Sequence, residues 1–204
     1  MAYVVVGLGN PGSEYAKTRH SAGRMAAEHI AKLLGAEAFT YKNLPATKHR
    51  ALVTTTQVGK EKVTFVLPET MMNLSGKVMP MFVKSNVQVR RMVVIRDDLD
   101  MPLGTMKMTV GRGSGGHKGI ESIARTLKTK DFIQVKIGIS GSTSKGLVKK
   151  PAGEEKVIKH VIGKFKPEEE LILKKQFAKI ADVVELVAKD EIERALLLAN
   201  TKQN

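Results

Sequence analysis

An α/β fold, with a twisted mixed β-sheet flanked by helices, is predicted by three features of this sequence. Short apolar runs at 4–6, 92–95 and 132–139 have strand length and end in glycine-rich or acidic loops. Stretches with helical spacing separate them. One alternating pair, 50–58 and 62–67 around Gly59-Lys60, reads as a β-hairpin, which makes the sheet mixed. The 204 residues fit one domain, 1–204, large enough to bury a real core, with no internal repeat and no domain boundary.

The elements follow in order. Val4-Val5-Val6-Gly7 reads as a buried strand ending in a tight loop, and loops at the carboxyl ends of such strands face a ligand cleft. Residues 21–34 have helical spacing and stop at Gly35, a C-cap signal. After the hairpin, a polar loop at 68–76 leads into a helix through about Ser85, which Pro80 kinks or delays. The methionines at 71, 72, 79 and 81 read as adaptable packing. Residues 92–95 form a strand terminating in the acids Asp97, Asp98 and Asp100. A strand at 104–110, a glycine-rich loop, a helix at 120–127 and a strand at 132–139 come next. Residues 140–153, rich in Gly, Ser and Lys, read as a mobile basic loop. Pro167 and three glutamates open a long C-terminal helix, about 167–200. Its stripe of Leu173, Phe177, Ile180, Val184 and Val187 packs on the sheet.

Charge narrows the function. There are 34 basic and 20 acidic residues, a net charge of +14, and many of the acids lie between Glu168 and Glu193. The rest of the chain is therefore more basic than the average suggests, which favours a polyanionic partner. Few aromatics argue against a stacking platform for single strands. The absence of cysteine removes disulfides and thiolate chemistry, which fits a reducing compartment. Neither a signal sequence nor a membrane span is apparent, so a soluble, non-secreted protein is expected.

One literal motif match misleads, and a second motif fails. Gly7-Leu8-Gly9-Asn10-Pro11-Gly12 fits G-x-G-x-x-G, but Pro11 removes an amide where a pyrophosphate would bind, and residues 13–20 intervene before any helix. The loop at 111–119 precedes a helix, yet Gly119 stands where a Walker motif needs Ser or Thr. No histidine pair has zinc-protease spacing, and the acids at 97–100 are weak grounds for magnesium, so neither metal nor cofactor is expected. An acid at a strand end is equally suited to orienting a histidine.

Four separated motifs then converge: G-L-G-N-P-G-x-x-Y-x-x-T-R-H at 7–20, P-x-T-x-M-N-x-S-G at 68–76, D-x-L-D-x-P-x-G at 97–104 and G-G-H-x-G at 115–119. Together they resemble the bacterial-type peptidyl-tRNA hydrolases over essentially the whole chain. The resemblance implies a metal-independent, monomeric hydrolase of that fold. It would cleave the ester between a peptide and the 3′-terminal ribose of tRNA, in the cytoplasm or in an organelle such as the mitochondrion. By position, His20 is the general base and Asp97 the carboxylate that orients it. Asn10 and Asn73 are the substrate-positioning amides, and Tyr15, Met71 and Lys118 are further substrate contacts. Lys107 and Lys136 are the candidates for gripping RNA phosphate. His117 is expected to order its loop. The alternative is a non-catalytic RNA-binding relative.

Three departures from the family pattern stand out. Ser21 replaces the usual Asn, and Met71 a common aromatic. Lys118 replaces a cleft asparagine; it cannot accept a hydrogen bond and its charge is able to depress the pKa of a nearby His20, so either slower turnover or a compensating contact between Lys118 and RNA phosphate is expected. Of the family's basic pair, Lys136 is present and the partner position is Thr109. Lys107, on the same strand face, is expected to substitute.

Overall fold

The structure, a computed structural model, describes residues 2–43, 48–144 and 147–201. The valine run becomes β1 (Tyr3–Gly7), buried at every position. β1 pairs in parallel with β4 (Glu61–Pro68) and β5 (Met92–Pro102), and β5 in parallel with β7 (Ile133–Ser142). Val5 points into one core, while Val4 and Val6 point into the other. A strand covered on both faces reads as an unbroken apolar run, which is why three consecutive valines suit it.

Antiparallel pairs complete the sheet. β3 (Arg50–Val58) folds back on β4 as the hairpin, and β2 (Thr40–Asn43) adds the edge beyond it. β6 (Met106–Val110) and the short β8 (Val148–Lys149) both run antiparallel to β7. The order is β2-β3-β4-β1-β5-β7-β6, with β8 off that path. The expected α/β class with a mixed sheet is what forms. β1 ends at Gly7, level with Ile95 of β5 and Val135 of β7, and β5 and β7 run on together past it, so the loop leaving β1 lies beside the second half of β5.

Helices cover both faces. On the first, α1 (Ala22–Leu33), α5 (Pro167–Ala188) and α6 (Ile192–Asn200) pack around Phe65, Ile95, Val135, Phe177, Ile180 and Val184. On the second, a 3-10 helix (Met72–Met81) and α3 (Lys118–Leu127) cover Val6, Val66, Val94 and Phe132. Short α2 (Asn86–Arg90) is capped by the Ser85 hydroxyl, which accepts from the Gln88 amide. α4 (Glu154–Ile162) has none of its residues buried.

Several expectations need correction. The helix expected to run to about Ser85 is a 3-10 helix ending at Met81, with Pro80 inside it. Gly76 explains its tight approach to α3, since a Cβ there would stand 2.2 Å from the Ser122 carbonyl oxygen. The single C-terminal helix over 167–200 is two, because Asp190 adopts φ 62° between them. Its carboxylate accepts from the Tyr3 hydroxyl at 2.7 Å and from Arg91 at 2.9 Å, anchoring the turn to the sheet. α6 then reaches the edge strand β6, where the Asn200 amide accepts from the Met108 N–H and donates to its carbonyl. Those are the bonds a further strand would make, so this stretch of edge is closed. The loop over 140–153 is also shorter than expected. β7 continues to Ser142 and pairs with β8; residues 145–146 lie outside the described residues. The strand expected from Gly104 begins at Met106, and β2, α2 and α4 have no counterpart in the sequence reading.

Candidate active site

His20 owes its place to a close approach between backbones. After β1 the chain turns through residues 8–18, where the Thr18 hydroxyl donates to the Tyr15 carbonyl, and passes through a 3-10 turn (Arg19–Ser21) into α1. At Gly23 a Cβ would stand 2.1 Å from the carbonyl oxygen of Ile95. Only glycine lets the first turn of α1 rest on β5 there. Residue 20 is thereby held against the middle of β5, two residues beyond Ile95, where Asp97 projects.

The ring meets that carboxylate. His20 Nδ1 lies 3.0 Å from Asp97 Oδ1 and 3.2 Å from Oδ2. His117 Nε2 approaches the same Oδ1 at 3.0 Å, and the two rings tilt against each other with centroids 5.0 Å apart. Burial alone would favour a neutral Asp97, but the two imidazoles and their hydrogen bonds hold its pKa far below the usual carboxylate range. With Asp97 ionised, His20 donates through Nδ1 and keeps the Nε2 lone pair. Burial works against the His20 cation, yet the Asp97 charge and hydrogen bond prevail and raise its pKa above the ordinary 6.5. His117 shifts the other way: deep burial outweighs Asp97 and keeps it neutral.

Asp97 thus bridges two histidines, of which the motif reading expected only one to be involved. His117 also caps α3, its Nδ1 accepting from the Ile120 N–H at 3.4 Å. That bond leaves the His117 proton on Nε2, facing Asp97. Among the described residues, His20, Asp97 and His117 bring three donor atoms within 4.8 Å of one another, a spacing compatible with a metal ion. With its proton on Nε2, His117 donates to Asp97, and hydrogen bonds through that carboxylate join the trio. The neighbouring acids are also occupied. Asp98 faces Arg96 and Lys136, and Asp100 faces Lys150.

His20, Asp97, His117 and Lys118 line a cleft of about 510 Å³, closed on its far side by Val157, Ile158 and Val161 of α4. The Lys118 side chain is 69% exposed and pairs with Glu121 at 3.4 Å, and the pKa of His20 is raised under the influence of Asp97. Asn10, Tyr15, Met71 and Asn73 do not line this cleft. Asn10 is buried, and its Oδ1 accepts from the Met72 N–H at 2.8 Å, joining the loop after β1 to the 3-10 helix. Asn73 and Met71 are exposed on that helix and just before it, and Tyr15 is half-buried. Lys107 and Lys136 face each other across β6 and β7 and line a separate cavity of about 510 Å³ with Thr109 and Arg112.

A family model described as peptidyl-tRNA hydrolase matches residues 4–204. The chain belongs to the peptidyl-tRNA hydrolase family. It is 34% identical over 205 residues to the peptidyl-tRNA hydrolase of Hydrogenobaculum sp. (strain Y04AAS1), covering 100% of both chains. It is 37% identical over 171 residues to that of Aquifex aeolicus (strain VF5), covering 83% of this chain and 81% of the other. The crystal structure of peptidyl-tRNA hydrolase from Acinetobacter baumannii superposes with a TM-score of 0.83 at 30% identity, over 99% of this chain and 96% of that one. Peptidyl-tRNA hydrolase function follows from this membership, and the non-catalytic RNA-binding alternative is not favoured.

Two polar residues of this peptidyl-tRNA hydrolase site escaped the motif reading: His117 as a partner of Asp97, and buried Arg96. The G-G-H motif holds the signal for the first. Nothing in the sequence marks Arg96 beyond its place beside Asp97. No helix among the described residues is long and apolar enough to cross a membrane.

Proposed function

We propose that His20 is the general base that activates water for cleavage of the ester between peptide and tRNA. Its Nε2 takes a proton from water as the oxygen attacks the ester carbonyl. The proton then passes to the departing 3′-oxygen of the ribose, and a free peptide and tRNA result. Asp97 stabilises the imidazolium formed in the first step and fixes the ring by its bond to Nδ1. The observation that carries this reading is the 3.0 Å contact between His20 and an ionised, buried Asp97 at the edge of an open cleft.

Substrate contacts extend from that point. With Oδ1 of Asn10 committed to Met72, its Nδ2 is left to donate, and Asn73 on the adjoining helix offers a second amide. Such donors suit a developing oxyanion or a peptide carbonyl, since an amide neither gains nor loses a proton. Tyr15 and Met71 are further contacts for the substrate beyond the cleft, and Lys118 lines the cleft itself. Lys107 and Lys136 hold backbone phosphate of the acceptor stem. Lys107 and Arg112 form no ion pair with another described residue, unlike Arg19, Arg24, Arg91 and Lys150, so their charge is available to a polyanion. The enzyme works as a single-domain monomer in the cytoplasm, recycling tRNA; sedimentation equilibrium reports the first point.

The test is hydrolysis of a peptidyl-tRNA by wild type and His20→Ala. Loss of a general base lowers kcat by about 10²–10⁴-fold, with RNA binding retained. Equal rates would remove His20 from this role.

A further inference from the structure

Arg96 is a buried cation with no part in the steps above. Its side chain is 3% exposed, a costly place for a guanidinium unless its donors find acceptors. Nη1 donates to the carbonyl of Asp97 at 2.8 Å and stands 3.1 Å from Asp98 Oδ2. Nη2 donates to the carbonyl of Ser114 at 3.4 Å, on the loop that ends in His117. One planar group therefore touches the backbone that aims Asp97 and the loop that carries the second histidine.

The same Asp98 carboxylate also reaches Lys136 on β7. Asp98 Oδ2 lies 3.4 Å from Lys136 Nζ, while Asp98 Oδ1 accepts from the Asp100 N–H at 2.9 Å. Arg96 and Lys136 are register partners on β5 and β7, and like charges directly opposite repel. Asp98 sits one pleat further along the same face and balances both. A phosphate that draws Lys136 away leaves Asp98 to Arg96 alone. This changes the pull on a guanidinium that is tied to the Asp97 peptide.

We propose that Arg96 is a positioning residue: it holds the Asp97 backbone and the His117 loop in place, and through Asp98 it couples them to phosphate binding at Lys136. The inference rests on the reading of His20 and Asp97 as the catalytic pair. A displacement of about 1 Å at a catalytic group costs up to about 10²-fold in rate, so modest slack at residue 97 is measurable.

The experiment is a double-mutant cycle on peptidyl-tRNA hydrolysis, combining Arg96→Met or Arg96→Lys with Lys136→Ala and reading kcat and KM separately. Arg96→Met is expected to lower kcat by at least about tenfold while KM changes by less than about threefold, and Arg96→Lys to recover part of the loss. Lys136→Ala should lower kcat and raise KM when Arg96 is intact, but only raise KM in the Arg96→Met background. An unchanged kcat in Arg96→Met overturns the proposal, as does the same kcat loss from Lys136→Ala in both backgrounds. Should Arg96→Met fail to fold in a thermal melt, the Arg96→Lys variant carries the cycle with the same two outcomes. His20→Ala separates the two readings. Retained turnover there removes the catalytic pair itself, whereas lost turnover with a wild-type kcat in Arg96→Met removes only Arg96.

Discussion

His20 Nδ1 and Asp97 Oδ1 stand 3.0 Å apart across 77 residues of sequence. The contact couples two titrations, and its effects on rate and on stability run in different directions with pH. The base is active only when neutral, so the rate rises with pH through the His20 pKa, which lies above 6.5. Stability behaves otherwise. The share due to His20 is complete below its unfolded value of 6.5 and drains away as pH rises through the folded value. The share due to Asp97 is complete above 3.8 and is lost as pH falls through its depressed folded value.

Asp97→Asn therefore moves the inflection of the pH–rate profile to lower pH while reducing the maximal rate by about 10²-fold or more. In denaturant titrations, the stability difference between wild type and Asp97→Asn is largest between pH 3.8 and 6.5. A profile with an unmoved inflection would show that the carboxylate does not govern the imidazole.

Lys118→Asn restores the residue type usual in the family at this position. Because Lys118 turns to Glu121 and contributes nothing to the shift of His20, the inflection stays where it is. Any effect falls on KM. A pH–rate series on the variant checks this, and a rise in the apparent pKa would show that the lysine charge does reach the base.

Lys107→Ala and Lys136→Ala each weaken RNA binding across sequences and reduce the magnitude of the slope of log K against log salt by about 1. Fluorescence titrations at several salt concentrations measure it. Thr109→Ala, on the same strand face but uncharged, leaves the slope alone.

Gly76→Ala forces a Cβ to within 2.2 Å of the Ser122 carbonyl oxygen, and the 3-10 helix must move off α3. Overpacking of this kind costs about 1–3 kcal/mol, which lowers Tm by several degrees in a chain of this size. Since this helix holds Asn10 through the Met72 N–H, KM rises with it. Calorimetry and steady-state kinetics separate the two effects.

The elements most legible in the sequence were those whose pattern is local. Three valines buried on both faces, the alternation around Gly59-Lys60 and the Leu173-to-Val187 stripe each report their own burial. Where a distant contact overrides local preference, the local pattern does not report it. The break at Asp190 depends on Tyr3 and Arg91, the 3-10 form of 72–81 on the closeness of Ser122, and the pairing of β8 on β7 running further than its composition suggests.

The motifs alone determined the family, the fold class and the identity of His20 and Asp97 as a candidate pair, because those residues recur in order with fixed local spacing. Only the tertiary structure decided that His117 shares the same carboxylate and that Arg96 ties Asp97 to Asp98 and Lys136. The physical reason is that charge acts through distance in space. The partner a buried ion finds is set by which strand ends the sheet brings together, and no local pattern encodes that.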